Sequence, residues 1–202
     1  LNILIISFTT AIPILLHFST DEVYGEIENG NHTEIDLLKP GNPYSATKAA
    51  ADMLILAWSR TYNVPYIIVR PTNNYGIGQY VEKLIPKTCK CLMLGKKIPL
   101  HEGGMPIRTW LHAKDTSNAI MKIIESGTKN EIYNISGNLQ KTNLETVKSI
   151  LDIYFKNEEI SDYLQYIDLT YNRIGQDCRY AIDSSKIRNL GWEPTCDFNK
   201  EL

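Results

Sequence analysis

Ser19-Thr20-Asp21-Glu22-Val23-Tyr24-Gly25 and Tyr44-Ser45-Ala46-Thr47-Lys48 place a hydroxyl, two carboxylates, a phenol and an ammonium within thirty residues. Tyr44 and Lys48 stand four apart, on one face of a helix, and an ammonium beside a phenol favours the phenolate, lowering a pKa that starts near ~10. That chemistry would make Tyr44 a base. With 12 tyrosines in 202 residues, however, chance alone supplies about one such pair, so an ordinary i,i+4 surface contact explains it as well. Asp21 and Glu22 add what the pair lacks, because adjacent carboxylates in unlike surroundings can divide into a protonated acid and an ionised base. In isolation such a cluster is a solvated turn; its place after a strand and before the Tyr-Lys helix favours chemistry.

The elements that must position these groups follow from the pattern. Ile14 to Ser19 reads as a buried strand, and Glu26 to Pro43, rich in Gly, Asn, Asp and Pro, as a surface loop. From Tyr44 to about Tyr62 the chain should be helical, with Pro43 at its entrance and Ala46, Ala49, Ala50, Met53, Leu54 and Ala57 as its apolar face. Tyr66 to Arg70 is the next strand, Pro71 to Tyr80 a loop, and Glu82 to Leu94 a helix. Ile98 to His101 and Arg108 to Leu111 look like short strands, Asp115 to Glu125 is helical, and Glu131 to Ile135 is strand-like. Thr142-x-x-Glu145 is a capping box that opens another helix. Leu164 to Asp168 reads as a strand, and a short final helix ends at Gly191. Alternating strands and helices predict an α/β fold with a Rossmann-like parallel sheet, and such sheets bind ligands at the carboxyl ends of their strands. Residues 1–100 would form a partial Rossmann-like domain carrying the catalytic motifs. Residues 101–202 would be mainly a smaller α/β substrate-binding lobe with interleaved Rossmann elements.

Composition narrows the partners. The formal charge is −2, with 21 basic against 23 acidic residues, so nothing points to nucleic acid or an anionic membrane. The four cysteines make no zinc or redox spacing, no metal site is expected, and structural thiols in a cytoplasmic protein are the simplest reading. The apolar stretch Leu1 to Phe18 lacks a basic leader and is interrupted by Pro13, which favours buried strands over an anchor. Gly76-x-Gly78 is followed by Val81 where a dinucleotide fingerprint needs its third glycine, so it reads as a loop turn. Arg108, with its bidentate fork, and Lys83, a point charge, are the candidate diphosphate ligands, and ordinary surface cations otherwise.

Together these segments resemble the extended short-chain dehydrogenase/reductase family, and within it the dTDP-glucose 4,6-dehydratases. Ser19 to Gly25 stands for that family's STDEVYG, Tyr44 to Lys48 for its YSASK-like helix, Asn73 to Gly76 for its NNYG and Glu82 to Pro86 for its EKLIP. The resemblance implies NAD as cofactor, a nucleotide-sugar substrate and a homodimer. Tyr44, assisted by Lys48 and Thr20, would take the 4-hydroxyl proton, Glu22 the C5 proton, and Asp21 would protonate the departing 6-hydroxyl. Asn73 would touch substrate and Asn74 the nicotinamide side; Lys83, Leu84, Pro99, Leu100 and His101 would line the nucleotide pocket, and Arg108 and Asn143 would hold diphosphate and ribose. Only Arg173 and Gly175 of the family's Asp-Arg-Pro-Gly-His remain at residues 172–176, which leaves thymidine and uridine nucleotides both open. The resemblance also implies a glycine-rich β-α-β unit ahead of Leu1 and a helix after Leu202, so a chain truncated at both ends is the expectation. Another nucleotide-sugar dehydratase or epimerase, or a non-catalytic sugar-nucleotide-binding remnant, are the alternatives.

Overall fold

The computed structural model describes residues 3–6, 13–156, 162–171 and 177–202. Its main sheet takes β1 (Ile3–Ile6), β2 (Ile14–Phe18), β3 (Tyr66–Pro71) and, later in the chain, β7 (Glu131–Ile135), in the order β1-β2-β3-β7. β2, β3 and β7 run parallel, with Leu16 opposite Ile67 and Val69 opposite Tyr133; β1 pairs antiparallel with β2. The apolar N-terminal run therefore supplies strands, as its composition suggested.

Strand alternation gives the sheet two unlike faces. Ile14, Leu16, Ile67, Val69, Tyr133 and Ile135 point one way, into a core closed by Ala119, Ile120 and Ile123 of α3 (Ala113–Ser126) and by Ile187 and Trp192. Against the other face lies α1 (Pro43–Tyr62), and there the sheet presents His17, Ser19, Arg70 and Asn134, all buried.

That polarity corrects the expected orientation of α1. Its buried residues are Ser45, Ala49 and Asp52, whereas Ala46, Ala50, Met53, Leu54 and Ala57 are exposed, except Ala49 alone of the anticipated apolar face. The helix turns its small and acidic residues to a polar sheet face, and leaves Leu54, Trp58 and Tyr62 outward. Its start is well defined: Pro43 occupies the first turn and Asn42 Oδ1 accepts from the Ser45 amide at 2.9 Å.

A second set of elements packs beside this sheet. β4 (Asn73–Tyr75), within the segment expected to be loop, pairs with β6 (Ile107–His112), which pairs with β8 (Leu139–Thr142). α2 (Leu84–Met93) and α4 (Asn143–Tyr154) enclose Ile98, Leu100, Val147, Leu151 and Ile167, with β5 (Ile98–Pro99) parallel to β9 (Ile167–Asp168). The strand expected over residues 164–168 is mostly a 3-10 turn, Tyr163–Tyr166, and α5 (Ser185–Arg188) and α6 (Phe198–Glu201) complete the chain. The capping box at α4 forms as its spacing predicts, Thr142 Oγ1 accepting from the Glu145 amide at 3.0 Å and Glu145 Oε2 from the Thr142 amide at 2.7 Å. Thr142→Ala should cost about 1 kcal/mol, read as a lower urea midpoint with unchanged slope.

Candidate active site

β2 ends at Phe18, and the chain then winds into a 3-10 turn over Asp21–Tyr24 with Thr20 as its cap, accepting from the Glu22 amide at 3.3 Å. Gly25 leaves the turn at φ 84, and a Cβ there would lie 2.2 Å from the Lys39 carbonyl oxygen, so only glycine lets the returning loop pass so close. The turn thus sits at the carboxyl end of a parallel strand, where α/β sheets place ligands.

Its two carboxylates occupy unlike surroundings. Asp21 is buried, 4% exposed, and holds its proton up to about 7, chiefly because burial disfavours the charged form and then because Glu22 is adjacent; Thr20 and Arg108 act the other way. Thr20 Oγ1 donates to Asp21 Oδ1 at 3.2 Å, and Oδ2 has no hydrogen bond among the described residues. Glu22 is only partly buried, with Asn42 Nδ2 3.5 Å from its Oε2.

Tyr44 lies near both carboxylates, half-exposed, and no described residue hydrogen-bonds its hydroxyl. Burial, then Glu22 and Asp21, push its pKa above the ordinary phenol value. This departs from the expected depression by Lys48, for a geometric reason: the Lys48 ammonium donates to the Phe18 carbonyl at 2.5 Å instead of to the phenol. Burial lowers the Lys48 pKa in turn, opposed by Asp52.

Arg108, 8% exposed, is not a free cation. Its guanidinium donates to the carbonyls of Ile107, Asp177 and Cys178 and lies over the Tyr180 ring, 4.9 Å from the centroid. Tyr180 donates to Asp177 Oδ2 and is 3.5 Å from Asn42 Nδ2, so Asn42, Asp177 and Tyr180 border the carboxylate turn without having been singled out in sequence. Burial and the bond to Asp177 push the Tyr180 phenol up. No local signal marks a tyrosine so distant in sequence; only the fold brings residues 177–183 alongside the 26–42 loop, as in the His32 amide bond to Ala181 at 2.9 Å.

The remaining expected ligands are dispersed. Asn73 opens β4, but Asn74 is turned inward, accepting from Thr116 Oγ1 at 2.6 Å and donating to the Thr72 carbonyl at 2.9 Å. Leu100 is 1% exposed inside the second core, so its side chain offers no lining surface. Leu84 also packs against that core, while Lys83 is exposed at the α2 entrance; among the described residues neither has a hydrogen bond or ion pair to the carboxylate turn. Pro99 is partly exposed, His101 packs its ring 4.6 Å from that of Tyr171, and Asn143 is buried at the start of α4. Arg173 lies outside the described residues. Among those residues, no group of three or more His, Cys, Asp or Glu could hold a metal, and no helix is long and apolar enough to cross a membrane.

Residues 6–202 match the family model described as GDP-mannose 4,6 dehydratase. The chain belongs to this family. Among its relatives, a dTDP-glucose 4,6-dehydratase of Neisseria gonorrhoeae is 42% identical over 194 residues, covering 92% of this chain and 56% of the relative. A low-salt glycan biosynthesis protein of Haloferax volcanii is 41% identical over 191 residues, covering 95% and 60%. The chain therefore spans between half and two thirds of the length of these relatives. The solved dTDP-glucose 4,6-dehydratase of Bacillus anthracis, in complex with NAD, superposes with a TM-score of 0.83 at 41% identity, over 92% of this chain and 58% of that one. A UDP-glucuronic acid 4-epimerase of Bacillus cereus reaches 0.84 at 22% identity, over 93% and 58%, a likeness of fold alone. These neighbours share the Rossmann-like parallel sheet read from the alternating elements.

Proposed function

We propose that the protein carrying this chain dehydrates a nucleotide-activated hexose, dTDP-glucose to dTDP-4-keto-6-deoxyglucose, with NAD as cofactor. The observation that carries the reading is Asp21: a buried carboxyl with its proton held to about 7 and one oxygen unpartnered among the described residues, next to a partly exposed Glu22. An elimination needs such a pair, one group to deliver a proton to the leaving hydroxyl and one to remove a proton from carbon. The homologous dTDP-glucose 4,6-dehydratases near 40% identity support the substrate class.

The residues present fit the nicotinamide end of a dinucleotide. Tyr44 and Lys48 share one face of α1 at the carboxyl edge of the parallel sheet, and the half-exposed Tyr44 hydroxyl has no hydrogen-bond partner among the described residues. When bound, NAD supplies a reversible hydride acceptor that oxidises C4 and later reduces C6. Tyr44 takes the 4-hydroxyl proton, assisted by Thr20; Lys48 would meet the ribose side by releasing the Phe18 carbonyl. The 4-ketone acidifies C5–H, which Glu22 removes, and Asp21 delivers its proton to the 6-hydroxyl as water leaves. Asn73 and Arg108 would contact substrate and its diphosphate, Arg108 from its place over Tyr180. Asn74, held by Thr116, contributes through its neighbours only. In the homodimer that this reading includes, the outward Leu54, Trp58 and Tyr62 of α1 are the surface to cover.

The test is incubation of the complete natural protein with dTDP-glucose and NAD, followed by the alkali-induced absorbance of the keto sugar. Folded, NAD-bound protein giving no signal refutes the reading. Turnover of a UDP sugar but not of dTDP-glucose moves it to another dehydratase of the family, and inversion at C4 without loss of water moves it to an epimerase.

A further inference from the structure

Tyr44, Lys48 and Asp52 are spaced by four along one face of α1, and the third of them has no part in the proposed chemistry. Asp52 is fully buried, and so is Arg70 on β3. Asp52 Oδ2 accepts from Arg70 Nε at 3.0 Å, from Arg70 Nη2 at 2.9 Å and from Ser19 Oγ at 3.0 Å, while Oδ1 stands 3.3 Å from His17 Nε2. The far edge of the same guanidinium donates through Nη1 to the Tyr24 hydroxyl at 2.7 Å, and its carbon lies 4.7 Å from that ring's centroid. Tyr24 donates onward to Asn134 Oδ1 at 2.8 Å, and the Asn134 amide donates to Glu34 Oε1 at 3.0 Å.

We propose that Asp52 and Arg70 are positioning residues: their buried ion pair holds the Asp21–Tyr24 turn in register with the helix that carries Tyr44 and Lys48. This inference rests on the dehydratase reading for its kinetic consequence, although not for its geometry. Ser19 and Tyr24 bracket the catalytic residues, and each is tied to the pair, Ser19 to Asp52 directly and Tyr24 to Arg70. The rigid, planar guanidinium fork fixes direction at both edges, which an ammonium on a flexible stem does not. Stability alone gives little reason for the arrangement, because desolvating two charges commonly offsets their attraction, and apolar replacements of a buried pair are often neutral or stabilising. What an apolar pair cannot do is bond Ser19 and Tyr24 at once.

The complete natural protein is compared with three variants: Tyr24→Phe, which keeps the ring and removes the hydroxyl that bonds Arg70 and Asn134; Asp52→Asn; and the paired change Asp52→Leu with Arg70→Met. Two readouts are taken, the kcat and KM for dTDP-glucose and the titration of Asp21 by carboxyl NMR, the groups facing Asp21 being Glu22, Thr20, Arg108 and, from α1, Tyr44. The expected result is a kcat lower by roughly 10-fold in Tyr24→Phe and roughly 10²-fold in the paired variant, KM staying within about threefold, since small misplacements of reacting groups cost that much. The Asp21 midpoint should fall toward the ordinary carboxylate range in both, as water reaches the loosened turn, while Tm in the paired variant holds. Parent-like kcat with an unmoved Asp21 midpoint overturns the inference; so does a loss of kcat that merely tracks loss of folded protein. Should Asp52→Asn not fold, the other two variants decide. If the parent dehydrates no nucleotide hexose, the function reading fails, and the Asp21 midpoint still decides the positioning by itself.

Discussion

Replacing Asp21 by asparagine should stop the elimination and at the same time stabilise the protein above neutral pH. The proton that Asp21 holds to about 7 is the one the leaving hydroxyl needs, and removing a positioned general acid lowers turnover by roughly 10²–10⁴-fold. The stability effect has the opposite sign. Asp21 binds its proton more tightly folded than unfolded, where the carboxyl titrates near 3.8. Below that value both states are protonated and the group is neutral to the balance. Between about 4 and 7 the unfolded chain ionises while the folded one does not, so stability falls as pH rises, by on the order of 4 kcal/mol in full, and levels off above 7. Asparagine cannot ionise and is free of this loss. Urea unfolding of parent and Asp21→Asn should therefore agree near pH 4 and diverge by pH 8, the variant being the more stable. Equal stability at both would mean that the carboxyl is not desolvated, and the division of labour between Asp21 and Glu22 would lose its basis.

How much of this was legible in the sequence depends on whether a residue's partner is local. The turn after β2, the capping box at Thr142 and the span of α1 are set by neighbours within a few residues, and each forms where the pattern puts it. The inward face of α1 was not readable, because it depends on which side chains the sheet offers. Arg70 and His17 stand on the strand face opposite Val69 and Leu16, and a helix meeting them buries Asp52 and leaves its leucine and tryptophan outside. The Tyr44 and Lys48 pair was found by spacing, but spacing cannot tell whether the ammonium meets the phenol or the Phe18 carbonyl. Tyr180, from the far end of the chain, and the inward turn of Asn74 to Thr116 are decided by tertiary packing.

Tyr44→Phe should halt the proposed reaction earlier than Asp21→Asn does, and that order is the stronger test of the assignments. The phenol is half-exposed and has no hydrogen bond among the described residues, so removing its hydroxyl deletes a reacting group and leaves the helix intact. In the arrangement described, its pKa is raised by burial and by Glu22 and Asp21, so it is protonated at neutral pH. It therefore becomes a base only once its own proton has passed to solvent, which Lys48 would favour by leaving the Phe18 carbonyl to stabilise the phenolate. Removing the phenol then predicts a loss in kcat of roughly 10²–10⁴-fold in Tyr44→Phe. Rapid quench and mass spectrometry should show no 4-keto hexose nucleotide retaining its 6-hydroxyl, and no exchange of C5–H with deuterated solvent. Asp21→Asn should still form the 4-keto species and exchange at C5, because its block falls after Glu22 has acted. If Tyr44→Phe forms the 4-keto species at the parental rate, the base is another group, and the open phenol beside two carboxylates would have to be read as a substrate contact instead.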